Sequence, residues 1–290
     1  MTQVDVRAEP VRRHGLTPAG PPRSLPAYAR LLWARRTFIT TYADARVAAA
    51  LGDTRLGLLW QVLTPLFNAA LYYLIFGVVL DTERGAANFV PYLCIGVFLF
   101  GFTQSMVQAG ASAVSANLGM IRALYFPRAG LPLAVAVAEV RNLIASMAVL
   151  LGVVLLAGTP MSWRWLLLVP ALALHTVFSA GLALVVARLG ARLTDIRRML
   201  PFIMRIWLYL SAVVYPVSTF TDFARGWTLR VLEANPLLVF IELARHALLD
   251  GVELAGPPEL LWLEAVGWSL VAGLGGFIYF WRGEHDYGRT

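Results

Sequence analysis

The sequence contains no lysine, because all 24 of its basic residues are arginine. The phosphate-binding loop of the common ATPases requires a lysine that reaches the nucleotide phosphates. Enzymes that form a Schiff base with pyridoxal phosphate or with a carbonyl substrate also need a lysine amine. The absence of lysine therefore excludes both kinds of site from this chain.

Cysteine and histidine are scarce as well, with one cysteine and four histidines in the chain. A lone Cys94 cannot form an intramolecular disulfide, and the histidines do not have the spacing of a metal site. His175 lies alone in an apolar segment, so we predict that it makes a hydrogen bond between packed helices. We find no nucleophile elbow, zinc motif or dinucleotide fingerprint. The sequence therefore predicts no catalytic residue and no metal site.

Charged residues make up only 14% of the chain, whereas hydrophobic residues make up 59%. A soluble domain contains far more charge than this. The net charge of +7 does not indicate nucleic-acid binding, because the arginines cluster beside apolar segments and form no basic patch with interleaved aromatic residues. Residues 1–30 lack the apolar core of a signal peptide. The composition predicts an integral membrane protein.

Long apolar segments predict six membrane-spanning helices in an all-α fold. The first segment, residues 52–80, has no formal charge after Arg55 and includes Trp60 and Pro65. The other five are residues 89–111, 130–157, 163–187, 201–217 and 260–281. With both termini placed in the cytoplasm, most arginines lie on the cytoplasmic side, as the positive-inside rule requires. We therefore predict a multi-pass protein of the cytoplasmic membrane.

The remaining segments complete the predicted organisation. Residues 1–26 are expected to be a disordered cytoplasmic tail, and residues 27–54 an amphipathic helix at the membrane interface. Residues 55–285 form the predicted transmembrane domain, and residues 286–290 a second cytoplasmic tail. Between the fifth and sixth spans, residues 236–249 are apolar but too short and too charged to cross a membrane. Such a run is typical of a re-entrant segment, here on the outer side.

Three motifs occur in the order and with the spacing of one family. They are Arg-Leu-Gly-Leu-Leu-Trp at residues 55–60, Asp-Ile-Arg-Arg at 195–198 with Ser-Ala-Val-Val-Tyr-Pro at 211–216, and Asn-Pro-Leu at 235–237 followed by Glu242, Arg245 and Gly251. Together they resemble the ABC-2 type permeases that export O-antigens, teichoic acids and related glycans. One departure is Ala212, where relatives commonly carry proline.

The resemblance implies a permease subunit of an exporter that moves a polysaccharide linked to undecaprenyl diphosphate across the cytoplasmic membrane. It also implies a homodimer that binds two copies of a separate ATPase subunit, which carries ATP and Mg, while this chain holds no cofactor and is not an enzyme. Its expected partners are therefore a second copy, the ATPase, the lipid-linked polysaccharide and membrane lipids, with no nucleic acid.

Three other functions remain as alternatives. An exporter of small drugs or lipids would belong to the same family. An integral membrane glycosyltransferase or acyltransferase usually has acidic or histidine-centred motifs, and we find none. An ion-coupled transporter favours paired carboxylates deep in its spans.

Aromatic residues of the first and fifth spans are the predicted lining of a polysaccharide channel, because their rings stack on the apolar faces of sugars. The candidates are Tyr72, Tyr73, Phe76, Trp207, Tyr209 and Tyr215, with Trp60 the weakest. Arg205, near the cytoplasmic end of the fifth span, is a candidate to bind the lipid diphosphate. The alternative is that Arg205 forms a structural ion pair with Glu139.

Glu139 and Arg141 lie within the third span, where charges are costly. Residues two apart on a helix do not face one another, so each needs another partner, and we predict intramembrane ion pairs that link helices. After the second span, the resemblance implies that residues 115–128 dock on the ATPase subunit. The coupling residues predicted there are Asn117, Arg122 and Tyr125.

Overall fold

The computed structural model describes residues 24–52, 57–79, 89–124, 126–215, 217, 226–284 and 287. Throughout these ranges every regular element is helical. Residues 80–88 and the predicted coupling residue Tyr125 lie outside the described residues, as does the predicted amino-terminal tail except for its last three positions. Of the predicted carboxy-terminal tail, only Tyr287 is described.

Eleven α-helices are present in the described part of the chain. They are α1 (Leu25–Ala34), α2 (Arg36–Gly52), α3 (Gly57–Tyr72), α4 (Phe89–Ser112), α5 (Leu118–Ala123), α6 (Gly130–Leu156), α7 (Leu168–Arg192), α8 (Ile196–Leu210), α9 (Trp227–Glu233), α10 (Pro236–Leu248) and α11 (Pro258–Arg282). A π-helical segment, Tyr73–Val79, continues α3. Short 3-10 helices precede α5 at Ser115–Asn117 and α7 at Trp163–Leu167.

Among the described residues, four helical segments are long and apolar enough to cross a membrane: α4, α6, α7 with its preceding 3-10 helix, and α11. Each contains at least 24 residues, which is enough for a hydrocarbon core of about 30 Å. The second, third, fourth and sixth predicted spans are therefore confirmed as membrane-span candidates. Their ends agree with the predicted ends to within a few residues, because long apolar runs predict such helices reliably.

The fifth predicted span differs from the structure. Helix α8 begins at Ile196 and ends at Leu210, whereas the prediction placed the helix at residues 201–217. Its 15 residues extend over only about 22 Å at 1.5 Å per residue. The chain turns at Ala212, whose φ of 44° lies in the left-handed region. A proline ring cannot adopt that angle, so this turn requires a residue other than proline at position 212.

Small residues bring the long helices together. A Cβ atom on Gly181 of α7 would overlap the backbone of Ala272 on α11, and one on Gly276 of α11 would overlap the backbone of Gly181. Close approach at small residues is the usual way that membrane helices pack. Helix α4 lies against α7 as well as α6, and its side chains are buried along most of its length.

The predicted amphipathic helix at residues 27–54 is two helices in the structure, because the chain turns at Arg35 between α1 and α2. Helix α1 buries Tyr28 and Leu32, and α2 packs along α6, where Ala43 is buried. The Tyr28 hydroxyl donates to Glu284 Oε2 at 2.6 Å and accepts from the Ala129 amide at 3.1 Å. The amino-terminal helices are thus attached to the segment before α6 and to the end of α11.

Candidate functional site

Helix α10 is anchored at its first turn by Asn235. The Asn235 side-chain oxygen accepts from the Leu237 amide at 3.2 Å, which is an N-cap, and from the Trp207 indole at 2.9 Å. The side-chain nitrogen donates to the Leu210 carbonyl at 2.8 Å. Pro236 occupies the first helical position, where its missing N–H has no cost. The Asn-Pro-Leu motif therefore both begins α10 and fastens it to the end of α8.

A fully buried ion pair fixes the middle of α10. Glu242 and Arg245 are both 0% exposed, and Arg245 Nη1 donates to Glu242 Oε1 at 2.9 Å. Arg245 Nη2 donates to the carbonyls of Ala212 and Val213, each at 3.1 Å. Its guanidinium lies 3.3 Å from the centre of the Tyr92 ring. One side chain thus joins α10, the turn after α8 and the first turn of α4.

The contacts of Arg245 account for the residue types that surround it. The carbonyl of Ala212, whose left-handed conformation is unfavourable for alanine, is one of the groups that Arg245 binds. At Gly96 a Cβ atom would come within 2.8 Å of the Val213 carbonyl and 3.0 Å of Arg245 Nη2. Sequence reasoning singled out the 211–216 motif and Glu242 but missed Tyr92 and Gly96. The one sequence signal for these two residues was the Glu-x-x-Arg pair of α10, because a charged pair in an apolar helix needs buried partners.

A second polar contact holds the far end of α10. Arg164, in the 3-10 helix before α7, donates to Asp250 Oδ1 at 2.6 Å and to the His246 carbonyl at 2.6 Å. Its Nη2 atom also lies 2.9 Å from His246 Nδ1. Burial lowers the pKa of His246, and the positive charge of Arg164 lowers it further, while Glu259 opposes the shift. The arrangement therefore requires a neutral imidazole that accepts from the guanidinium.

We expect acidification to weaken this contact. A histidine with a lowered folded pKa contributes stability above its ordinary value of about 6.5 and loses it as the pH falls through the folded value. Thermal unfolding of the detergent-solubilised chain between about pH 7.5 and pH 5 should show the loss. A His246→Gln variant, which cannot titrate, should show a smaller loss over that range. Equal losses in both proteins would contradict the role of His246.

The predicted channel residues fall into two groups in the structure. Tyr72 is half-buried and lies within electrostatic range of both Tyr209 and Arg205, which are on α8. By contrast, the Trp207 indole is bound to Asn235, and the Tyr215 hydroxyl donates to the Tyr209 carbonyl.

The remaining channel candidates lie on α3 and its π-helical continuation. The ring of Tyr73 lies 6.3 Å from that of Phe89. Trp60 is 51% exposed. The side chain of Phe76 lies outside the described part of the structure.

Glu139 does not pair with Arg205 among the described residues, whereas Arg141 does form an ion pair that links two helices, although not two membrane-span candidates. Arg141 bonds instead to Asp44 on α2, and both side chains of this pair are partly exposed. Glu139 accepts a 3.4 Å hydrogen bond from Asn142, and the basic residue whose charge acts on it is Arg46. The reason lies in the tertiary structure, because α2 packs along α6 and its charged side chains interact with these two residues.

The predicted coupling segment is held by the amino-terminal helices. The Tyr42 hydroxyl of α2 donates to Asn117 Oδ1 at 2.6 Å, and Asn117 Nδ2 donates to the Ala113 carbonyl at 2.8 Å. Arg122 lies in the last turn of α5 with an exposed side chain. At the end of the segment, the Arg128 amide donates to Glu284 Oε1 at 2.8 Å. The position of α5 therefore depends on α2 and on the end of α11.

His175 makes the predicted hydrogen bond between helices, since its Nε2 lies 2.7 Å from Thr103 Oγ1 on α4. The ring stacks on Phe240 of α10, with 4.9 Å between ring centres. Among the residues that the structure describes, no group of three or more histidine, cysteine or acidic side chains could hold a metal ion.

Comparison with known proteins gives the family. The model of the ABC-2 type transporter family matches residues 37–249. An O-antigen export system permease protein RfbA from Myxococcus xanthus is 24% identical over 67% of this chain and 74% of its own length. One from Klebsiella pneumoniae is 24% identical over 68% and 74%. The polysialic acid transport protein KpsM of Escherichia coli is 26% identical over 69% and 76%. With the matched region extending from α2 to the end of α10, the chain belongs to the ABC-2 type transporter family.

Proposed function

We propose that this chain is the membrane-spanning permease subunit of an exporter that moves a lipid-linked polysaccharide across the cytoplasmic membrane. The observation that carries the proposal is the similarity, over about three quarters of their length, to permeases named for the export of O-antigen and of polysialic acid. The energy comes from a separate ATPase subunit with its own ATP and Mg, because this chain has no lysine for a phosphate-binding loop.

The proposed subunit spans the membrane six times, with both termini in the cytoplasm. Helix α3 with its π-helical continuation, and α8 with the turn that follows it, provide the first and fifth crossings. Both helices carry large exposed apolar side chains in the single chain, such as Phe67, Leu71, Phe202 and Ile206. A second copy of the chain covers part of these faces in the proposed homodimer, which binds two ATPase subunits. Helix α10 forms the proposed re-entrant segment on the outer side.

The polysaccharide passes between α3 and α8 of the two subunits in this proposal. The positions of Tyr72, Tyr209 and Arg205 support it, since a second tyrosine and a positive charge lie within electrostatic range of Tyr72. The rings can stack on sugars and the tyrosine hydroxyls can exchange hydrogen bonds with sugar hydroxyls. Arg205 is the proposed contact for the lipid diphosphate, because a guanidinium binds phosphate oxygens in a bidentate manner.

Replacing Arg205 provides a specific test of this contact. The Arg205→Ala variant should bind the lipid-linked substrate at least about tenfold more weakly, and Arg205→Lys should keep part of the affinity, because lysine retains the charge but not the planar fork. Binding can be measured with purified permease in lipid nanodiscs. Normal binding by both variants, with lowered thermal stability, would instead assign Arg205 a structural role.

Deletion and complementation test the proposed function as a whole. In the host organism, loss of this subunit should leave the polysaccharide inside the cell, and the wild-type chain should restore the polymer to the surface. The purified chain alone should hydrolyse no ATP. With its ATPase subunit, hydrolysis should rise when the lipid-linked polymer is added. Unchanged surface polysaccharide in the deletion strain would contradict the proposal.

A further inference from the structure

A cavity of about 310 Å³ lies between α3, α4 and α6. Its size is at the lower end of the range for small-molecule pockets, about 300–1,000 Å³. Polar side chains from all three helices line it at helical spacing: Asn68 from α3, Gln104, Ser105 and Gln108 from α4, and Glu139 and Asn142 from α6. Gly101, on α4, lies within the same stripe as Gln104 and Gln108.

The depth of this cavity is unusual for polar groups. Gly101 is about 16 Å and Gln108 about 6 Å from the end of α4 at 1.5 Å per residue, so the stripe lies within a membrane-span candidate. Uncharged and charged polar side chains at such depth generally mark a substrate or ion path. The polar stripes on α4 and α6 are therefore a second candidate site, separate from the aromatic group of α3 and α8.

The amide groups in the cavity have unused hydrogen-bonding capacity. Among the described residues, no protein group hydrogen-bonds to the side chains of Asn68, Gln104 or Gln108. Asn68 is exposed and Gln104 and Gln108 are partly exposed, so their amide groups can reach a molecule in the cavity. These side chains are therefore placed to bind a polar molecule that enters the cavity.

The lining indicates what kind of molecule this is. Amide side chains both donate and accept hydrogen bonds, as sugar hydroxyls do. Phe98 and Phe102 add apolar surface to the lining of the same cavity. A cation site would need several carboxylates or carbonyls, whereas Glu139 is the only acidic residue among the described residues of this lining. A neutral, hydroxyl-rich ligand fits the set better than an ion.

We propose that this cavity is a saccharide subsite within each subunit, which holds one sugar unit of the exported polymer beside the main channel. The proposal rests on the proposed function, because the sugar is part of the exported chain. The subsite acts by repeated weak binding, so that the polymer is held between steps without being trapped.

Filling the cavity provides the first test. A Cβ atom on Gly101 would have no neighbour within 4 Å, so Gly101→Leu places its side chain in the cavity without a clash at the backbone. Gly152 on α6 is a matched control, because it is also half-buried, has the same open space and does not line the cavity. We expect Gly101→Leu to lower export by about tenfold, a typical factor for steric exclusion from a pocket. Gly152→Leu should export normally.

Cysteine labelling identifies the occupant. Ser105 has an exposed side chain in the cavity, whereas the native Cys94 is only 4% exposed. In a Cys94→Ala background, Ser105→Cys should react with a small water-soluble thiosulfonate reagent. The reaction should slow at least severalfold when the polymer is arrested in the complete transporter with vanadate.

Each outcome decides the proposal. Equal labelling with and without arrested polymer means that the cavity holds water only and overturns the subsite, as does normal export by Gly101→Leu. If the wild-type chain restores export to the deletion strain, either of these two results overturns the subsite and leaves the proposed function standing. If deletion does not affect surface polysaccharide, the proposed function fails first. Slowed labelling together with reduced export by Gly101→Leu supports the subsite.

Discussion

Replacing Arg245 by alanine should destabilise the folded chain by about 3–5 kcal/mol, the usual cost of breaking a buried ion pair. The change leaves Glu242 without its guanidinium partner at a site where both side chains are fully buried. It also leaves the carbonyls of Ala212 and Val213 without their donor. We therefore expect loss of the monodisperse protein in detergent and a large fall in its thermal unfolding temperature.

Arg141 provides the matched control for this substitution. Its pair with Asp44 is partly exposed, with 37% and 64% of the two side chains accessible. Exposed pairs contribute only about 0–1 kcal/mol, so Arg141→Ala should have a small effect. A double variant, Glu242→Leu with Arg245→Met, should be more stable than Arg245→Ala, because no unpaired charge remains. Wild-type stability of Arg245→Ala would contradict the anchor role of this arginine.

Replacing Arg122 by glutamate should lower polymer export by at least about tenfold, the size of effect seen when an arginine at the centre of an interface is lost. The prediction follows from the proposed docking of residues 115–128 on the ATPase subunit. Arg122 lies in the last turn of α5 with an exposed side chain, so its replacement opens no cavity in the buried core. Hydrolysis of ATP by the partner subunit should continue while export stops.

Arg282 is the control for the change of charge. It is an exposed arginine in the last turn of α11, and Arg282→Glu makes the same substitution outside the proposed docking segment. That variant should export polymer at close to the wild-type rate. Export and ATP hydrolysis are measured together in reconstituted vesicles. Normal export by Arg122→Glu, with the protein stable and assembled, would remove the basis for the coupling assignment.

Several features of this protein could be predicted from the sequence because they depend on local composition. Four spans, α4, α6, α7 and α11, were predicted to within a few residues since a long apolar helix is the only local solution in a membrane. The short helix α10 followed from an apolar run broken by Glu242 and Arg245. The hydrogen bond of His175 followed from its isolation in an apolar segment. The roles of Asn117, Arg122, Tyr125 and the channel aromatics stay predictions.

Features that depend on which helices are neighbours could not be predicted. The period of 3.6 residues per turn shows that the side chains of Glu139 and Arg141 point in different directions from the helix. The partner of Arg141, Asp44, follows only from the packing of α2 along α6. The polar stripes of α4 and α6 form a cavity only because α3 packs beside both helices.

The sequence by itself indicated a membrane protein without an ATPase loop that resembles the ABC-2 permeases, since its apolar segments, its missing lysine and its three motifs are properties of the chain alone. The tertiary structure decided where α8 ends and what the motifs at residues 211–216 and 235–237 do. Residues from three separate segments, Tyr92, Ala212 and Arg245, meet at one buried guanidinium. Such a meeting of distant segments depends on how helices pack, and helix packing is fixed by side-chain contacts that no local pattern records.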